Sequence, residues 1–268
     1  MTRVLVLERP IRLDPRCGRL IEHDSASLAY AYRAMGAPVT ATHTRHVPIV
    51  NQGQLGSCTG QSAIGCIGTG KFYAQVKDKT KFDKAAGEDV YKRATVIDEF
   101  RGTYPPDDTG SSGLAVAKVL KERGLIKGYQ HAVTFADALG ALSERPVITG
   151  MRWFDSFNKL DANGFIQRTR TAREVGGHEF VVHAINVEGE YVTCTNSWGT
   201  NYGINGLFRM SFDLWEAQLK DRGDVTVFTP LDEPAPVPVP PTPVPPTNDA
   251  DRALWDAVQT WGKTKGYV

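Results

Sequence analysis

The chain has 268 residues, a formal net charge of +1, 41% hydrophobic and 23% charged residues, and four cysteines. Such a length buries one large core or two small ones, and the composition is ordinary for a globular protein. The near-zero charge argues against nucleic acid or an anionic membrane as a main partner, and no stretch is long enough to span a bilayer. The N-terminal MTRVLVLERP holds an apolar run too short for a signal peptide. Four dispersed cysteines suit a reducing cytoplasm, or a protein that does without disulfides.

In chain order, residues 1–46 read as an N-terminal extension with one helix candidate, Ser25 to Met35. Residues 47–130 read as mainly helical. One helix is expected to open at Cys58 and run through Ala63, Ile64, Ile67 and Phe72. A second spans Ala85 to Phe100, and a third spans Gly113 to Arg123, with Leu114, Ala117, Val119 and Leu120 inward and Gly124 closing it. Between the last two, YPPDDTGSSG is a turn-rich loop. Residues 131–230 switch to strand character in RPVITGMRW, GFIQRT, HEFVVHAINV, EYVTCTNSW and LFRMSF, separated by Gly, Asn and Asp. Residues 231–248 form a linker in which eight of the thirteen residues from Pro234 to Pro246 are proline, which predicts an extended polyproline spacer. Residues 249–268 read as a short helix capped by Asn248 or Asp249, with Leu254, Val258 and Trp261 on one face.

Three segments carry chemistry. Cys58 lies in NQGQLGSCTGQSA, His178 in GGHEFVV and Asn196 in NSWGTNYGINGLFRM, so the histidine follows the cysteine by 120 residues (178−58) and the asparagine by 138 (196−58). A thiol alone is a poor nucleophile at neutral pH, because only the thiolate attacks. It needs a base, a group to orient that base, and donors for the developing oxyanion.

From about Val47 to about Met210 the sequence resembles the papain-like cysteine peptidases. The resemblance implies an α+β fold in which a helical half packs against an antiparallel, β-barrel-like half, with the active site in the groove between them over residues 47–230. It further implies hydrolysis of peptide bonds in a peptide or protein substrate, through a thiolate–imidazolium pair and an acyl-enzyme intermediate, with no metal and no cofactor. By resemblance Cys58 is the nucleophile, His178 the base and then acid, and Asn196 the group that orients the ring. Gln52 and the Cys58 backbone N–H form the oxyanion hole. Trp198 covers the His178–Asn196 bond, and Gly110 and Ser111 form the cleft edge whose backbone pairs with an extended substrate. A plain loop capping a helix is the alternative reading of Gly110 and Ser111.

Several positions depart from the family pattern. Leu55 stands where papain and the cathepsins have a half-cystine, Thr59 replaces an aromatic residue, and Glu179 replaces a small one. On a strand, Glu179 points away from the side used by His178. Cys66 and Cys194 read as core thiols and Cys17 as an exposed one. His178 and His183 are five apart on opposite strand faces, which does not suit a metal. QGQLGSC without the extra cysteine resembles propeptide-free bacterial and bacteriophage members, and residues 1–46 are too short for the family's inhibitory propeptide. An enzyme without that form of latency, cytoplasmic or virion-associated, is therefore expected. Two other functions stay open: a scaffold acting through its tail, and a hydrolase of peptidoglycan peptides. The C-terminal helix is a candidate for binding a protein partner, through an apolar face that is costly to leave in water.

Overall fold

A computed structural model describes residues 5–24 and 31–237. The N-terminal part supplies four strands, β1 (Leu5–Glu8), β2 (Arg19–Asp24), β3 (Ala31–Tyr32) and β4 (Ala41–Thr42). The helices α1 (Cys58–Ile67), α2 (Lys71–Val76) and α3 (Lys84–Ile97) follow, then β5 (Ser111–Ser112), α4 (Gly113–Glu122), β6 (Gly128–Ala132) and α5 (Phe135–Glu144). The remainder is β7 (Val147–Phe154), a 3-10 turn (Asp155–Asn158), β8 (Glu174–Asn186), β9 (Tyr191–Thr195), β10 (Leu207–Ser211), α6 (Phe212–Lys220) and β11 (Asp224–Thr229).

Eight strands form an open sheet in the order β10-β9-β8-β7-β11-β6-β3, with β4 also pairing β8, and β1, β2 and β5 form a separate three-stranded sheet. The large sheet is not a closed barrel. It is antiparallel apart from the parallel β3–β6 pair. Strand periodicity of two splits its central residues between two cores. On one face Val147, Met151, Trp153, Phe180, Val182 and Val227 bury against each other and against the β9 and β10 side chains. On the other, Ile148, Val181 and Phe228 meet Ala63, Ile67, Val90, Ala94 and Leu120 of the helical half. This second core fixes α1 against β8, the contact on which the site depends.

Every residue of α1 is buried. A Cβ on Gly60 would stand 2.8 Å from the Tyr91 backbone nitrogen, so glycine permits the close approach of α1 to α3. The helix expected to reach Phe72 is two helices. Gly68 ends the first, and Gly70, at φ +59°, turns the chain into the second, a conformation costly for any other residue. Residues 25–30 of the helix candidate Ser25 to Met35 lie outside the described residues. Its continuation at Ala31–Tyr32 is strand, because it finds a partner in β6. GFIQRT is no strand either, since the turn at Gly164 leaves only single bridges at Phe165 and Ile166.

The folded part extends past the expected boundary at 230. Asp232 accepts from Gln75 at 2.8 Å, Glu233 pairs with Arg145 at 2.7 Å and with Lys71, and Leu231 N–H donates to Gln75 at 2.6 Å. The rest of the proline spacer and the C-terminal helix candidate fall in residues 238–268, outside the described residues.

Candidate active site

The sequence expectations meet at the junction of α1 and β8. Cys58 is the first helical residue of α1, where unpaired N–H groups and the helix dipole favour negative charge. His178 lies on β8, paired with Met151 of β7, and its Nε2 is 2.9 Å from Asn196 Oδ1. Its Nδ1 has no hydrogen-bond partner. Two indole rings hold the imidazole, Trp153 at 4.8 Å and Trp198 at 4.7 Å between centroids. Trp198 was expected from the sequence. Trp153 was not, although alternation along RPVITGMRW places it on the face of Met151.

The Cys58 thiol lies at the backbone N–H of Glu179, the residue after His178, and of Gly18, both of which favour the thiolate. Burial outweighs them and pushes the thiol up to about 11. Burial likewise pushes His178 down to about 4, against its bond to Asn196, which favours the imidazolium. In this arrangement both groups are neutral near pH 7.

The cause of that burial is the protein's own N-terminal segment. Cys58 is 0% exposed because residues 12–20 run through the groove above it. Gln52 Nε2 donates to the Arg16 carbonyl at 3.0 Å and to Leu55 O at 2.7 Å, so a peptide carbonyl already sits on the expected oxyanion donor. Ser197 Oγ donates to Gln52 Oε1 at 2.5 Å and holds the amide in that orientation. The Arg16 guanidinium lies 3.7 Å from the Trp198 ring centre, and Arg16 Nη2 pairs with Asp14 at 2.6 Å. Gly18 bridges Gly177, and its carbonyl accepts from Ser111 N–H at 2.9 Å. A Cβ at Gly18 would run into the Gly56 carbonyl, so only glycine passes here. Arg12, pairing with Asp108, ties down the start of the segment.

Of the expected cleft-edge residues, Ser111 lies in β5 and pairs with a strand of the same chain, while Gly110 N–H donates to Tyr91 Oη at 2.9 Å. The strand paired with Ser111 is β2, in parallel register with Arg19 opposite Ser111. The helix-capping alternative falls to the neighbouring Ser112, whose Oγ accepts from Ala115 N–H at 2.9 Å. One expectation changes. Cys17 is buried rather than exposed, because its segment packs into the groove beside Gly176. Among the described residues of the N-terminal extension, 12–20 fill the groove, and β3 and β4 pair with β6 and β8 of the large sheet. Cys66 and Cys194 are buried as expected. Among the described residues no cluster of three or more His, Cys, Asp or Glu could hold a metal ion.

No protein-family profile matches the chain. A stretch of 74 residues is 31% identical to an uncharacterised peptidase C1-like protein of Acanthamoeba polyphaga mimivirus, covering 26% of this chain and 24% of that protein. The match thus spans about a quarter of that relative's length. Among solved structures the chain is similar to xylellain, a cysteine protease from Xylella fastidiosa, with a TM-score of 0.64 at 17% identity, covering 84% of this chain and 99% of that one. It is also similar to procathepsin B S9 from Trypanosoma congolense, with a TM-score of 0.56 at 11% identity, covering 81% and 88% of the two chains. The fold is the mixed α+β fold of the papain-like cysteine proteases. Within it, the groove residues Cys58, His178, Asn196 and Gln52 come together on α1, β8 and the segments around them.

Proposed function

We propose that this protein is a papain-like cysteine peptidase and that the described arrangement is its covered state. The observation that carries the reading is the position of His178. One ring nitrogen is held by Asn196, the other has no partner, and the thiol of Cys58 lies against the N–H of the very next residue. Once the segment leaves, water returns to both groups. The desolvation that keeps them neutral then falls, and a proton can pass from Cys58 to His178. The thiolate attacks the substrate carbonyl carbon, and Gln52 and the Cys58 N–H stabilise the oxyanion. His178 gives its proton to the leaving amine as the C–N bond breaks. Water, deprotonated by His178, then cleaves the thioester, releases the acid and restores the thiol.

The substrates proposed are peptides or proteins, and QGQLGSC supports placing the chain nearest to bacterial and bacteriophage members, in the cytoplasm or on a virion. Residues 249–268 are proposed to bind a protein partner at the end of the proline tether. The experiment is hydrolysis of a fluorogenic peptide library, with purified peptidoglycan in parallel, by the full chain and by Cys58→Ala. Cleavage of library peptides that vanishes in Cys58→Ala is expected. Cleavage that persists in Cys58→Ala overturns the mechanism, and cleavage of peptidoglycan alone moves the substrate to cell-wall peptides.

A further inference from the structure

Arg19 is the residue after Gly18, which lies over the thiol, and its side chain turns into the body of the protein and is fully buried. There Nη2 pairs with Asp224 at 2.6 Å, and Nη1 donates to the Arg222 carbonyl at 3.0 Å. Glu179 faces the same space. Its carboxyl is 0% exposed and neither oxygen has a hydrogen-bond partner. Burial and then Asp224 push that carboxyl well above its ordinary range, while Arg19 pulls it down. Two carboxyl groups buried together are costly unless a cation joins them. The space for that cation is built into the backbone. A Cβ on Gly150 would run into Arg19 Nε and stand 2.6 Å from Asp224 Oδ1 and 2.8 Å from Glu179 Oε2. On the far wall, a Cβ on Gly113 would stand 2.9 Å from Glu179 Oε1.

The cation comes from the very segment that occupies the groove, a turn closed by Cys17 N–H on the Asp14 carbonyl at 3.0 Å that leads into β2. The groove is not filled solid around it, since a cavity of about 240 Å³ lies between Arg12, Cys17, Arg19, Leu20, Asp108 and Thr109. Removing the segment leaves a groove whose edge, Ser111, is ready for a new strand, beside a pocket lined by Glu179 and Asp224 and lacking its positive charge. A guanidinium fits such a pocket better than an ammonium does, because its fork can serve two carboxylates and a carbonyl at once.

We propose that Glu179 and Asp224 form the pocket in which this protein takes an arginine side chain of its substrate, and that Arg19 holds the pocket while the groove is covered. This rests on the peptidase reading and adds a substrate class to it. The same three residues could instead only tie β2 to β11, and the test separates the two.

In the full chain carrying Arg19→Ala, kcat/KM is measured on a fluorogenic alanine-based peptide in which arginine or its uncharged isostere citrulline is placed at each position in turn. At one position arginine is expected to exceed citrulline by about tenfold or more. Asp224→Asn and Glu179→Gln, each shown folded by circular dichroism, are expected to bring that ratio towards one. Gly150→Ser, which crowds the pocket while leaving both carboxyl groups in place, is expected to slow the arginine peptide selectively. Equal rates at every position overturn the proposal, as does an unchanged ratio in the folded charge variants or, where these do not fold, in Gly150→Ser. If no peptide is cleaved, the peptidase reading fails by itself. Binding of the same peptides to the full chain carrying Cys58→Ala and Arg19→Ala then decides the pocket, tighter binding of arginine supporting it and equal binding overturning it.

Discussion

The floor of the groove and the segment that covers it are held by different physics. The floor rests on two cores: α1 is buried along its whole length, and β8 sends Phe180 and Val182 to one side and Val181 to the other. The cover rests on charge pairs and backbone bonds made by Arg12, Arg16, Gly18 and Arg19. Packed elements hold a site rigidly, whereas the partly exposed pairs of Arg12 and Arg16 open at modest cost and the buried pair of Arg19 is the firmer anchor of the cover. The geometry needed for chemistry and the freedom needed for access therefore sit in separate parts of the chain.

Breaking the floor gives the largest effect. His178→Ala is expected to lower peptide hydrolysis about a thousandfold or more, and Gln52→Ala about a hundred- to a thousandfold, each variant shown folded by circular dichroism because both side chains are buried. An active His178→Ala would remove the base from the mechanism. Loosening the cover acts in the other direction. Arg12→Ala removes the Asp108 pair and is expected to speed alkylation of Cys58 by iodoacetamide several-fold, read by mass spectrometry against the buried Cys66 and Cys194. Equal labelling of all the cysteines would mean that the cover does not control access.

The sheet side of the floor also shows in the pH dependence of stability. Burial pushes His178 and His183 both down to about 4. Depressed folded values mean that each ring contributes stability present above the unfolded value of about 6.5 and lost as the pH falls towards about 4. The melting temperature should therefore drop between those limits. His183→Gln, which removes one of the two rings while leaving Thr195 a partner, should make the drop smaller. A drop of the same size in the variant would show that His183 is not held neutral. The smallest effect is expected at the far end of the chain. Because residues 231–233 are tied into the fold, the informative deletion starts past them, at 238, and it should leave peptide hydrolysis unchanged while removing a co-purifying partner. Lost hydrolysis would show that the tail belongs to the catalytic part.

The floor was legible in the sequence and the cover was not. Cys58, His178, Asn196 and Gln52 stand in local patterns that fix their elements, and alternation along HEFVVHAINV alone separates the side of His178 from that of Glu179. RPIRLDPRCGRL carries no such pattern. Its structure depends on partners far away in sequence, Ser111 for Gly18 and Asp224 for Arg19, so Cys17 read as exposed. Two helices were missed among the strands although local signals existed. Thr134 caps α5 by accepting from Asp137 N–H at 3.1 Å, and Ser211 caps α6 by accepting from Leu214 N–H at 3.3 Å, each a Ser or Thr just ahead of a helical apolar spacing.

One position links floor and cover directly. A side chain at Gly18 would collide with the Gly56 carbonyl beside Cys58, and overpacking of that kind costs about 1–3 kcal/mol, roughly a tenfold to hundredfold shift towards the open groove. The decisive measurement is kcat/KM for a fluorogenic peptide with the full chain and with Gly18→Val. A covered peptidase site gives a Gly18→Val variant that is about tenfold or more faster than the parent, with the gain abolished by adding Cys58→Ala. A folded Gly18→Val variant that is no faster than the parent would contradict it.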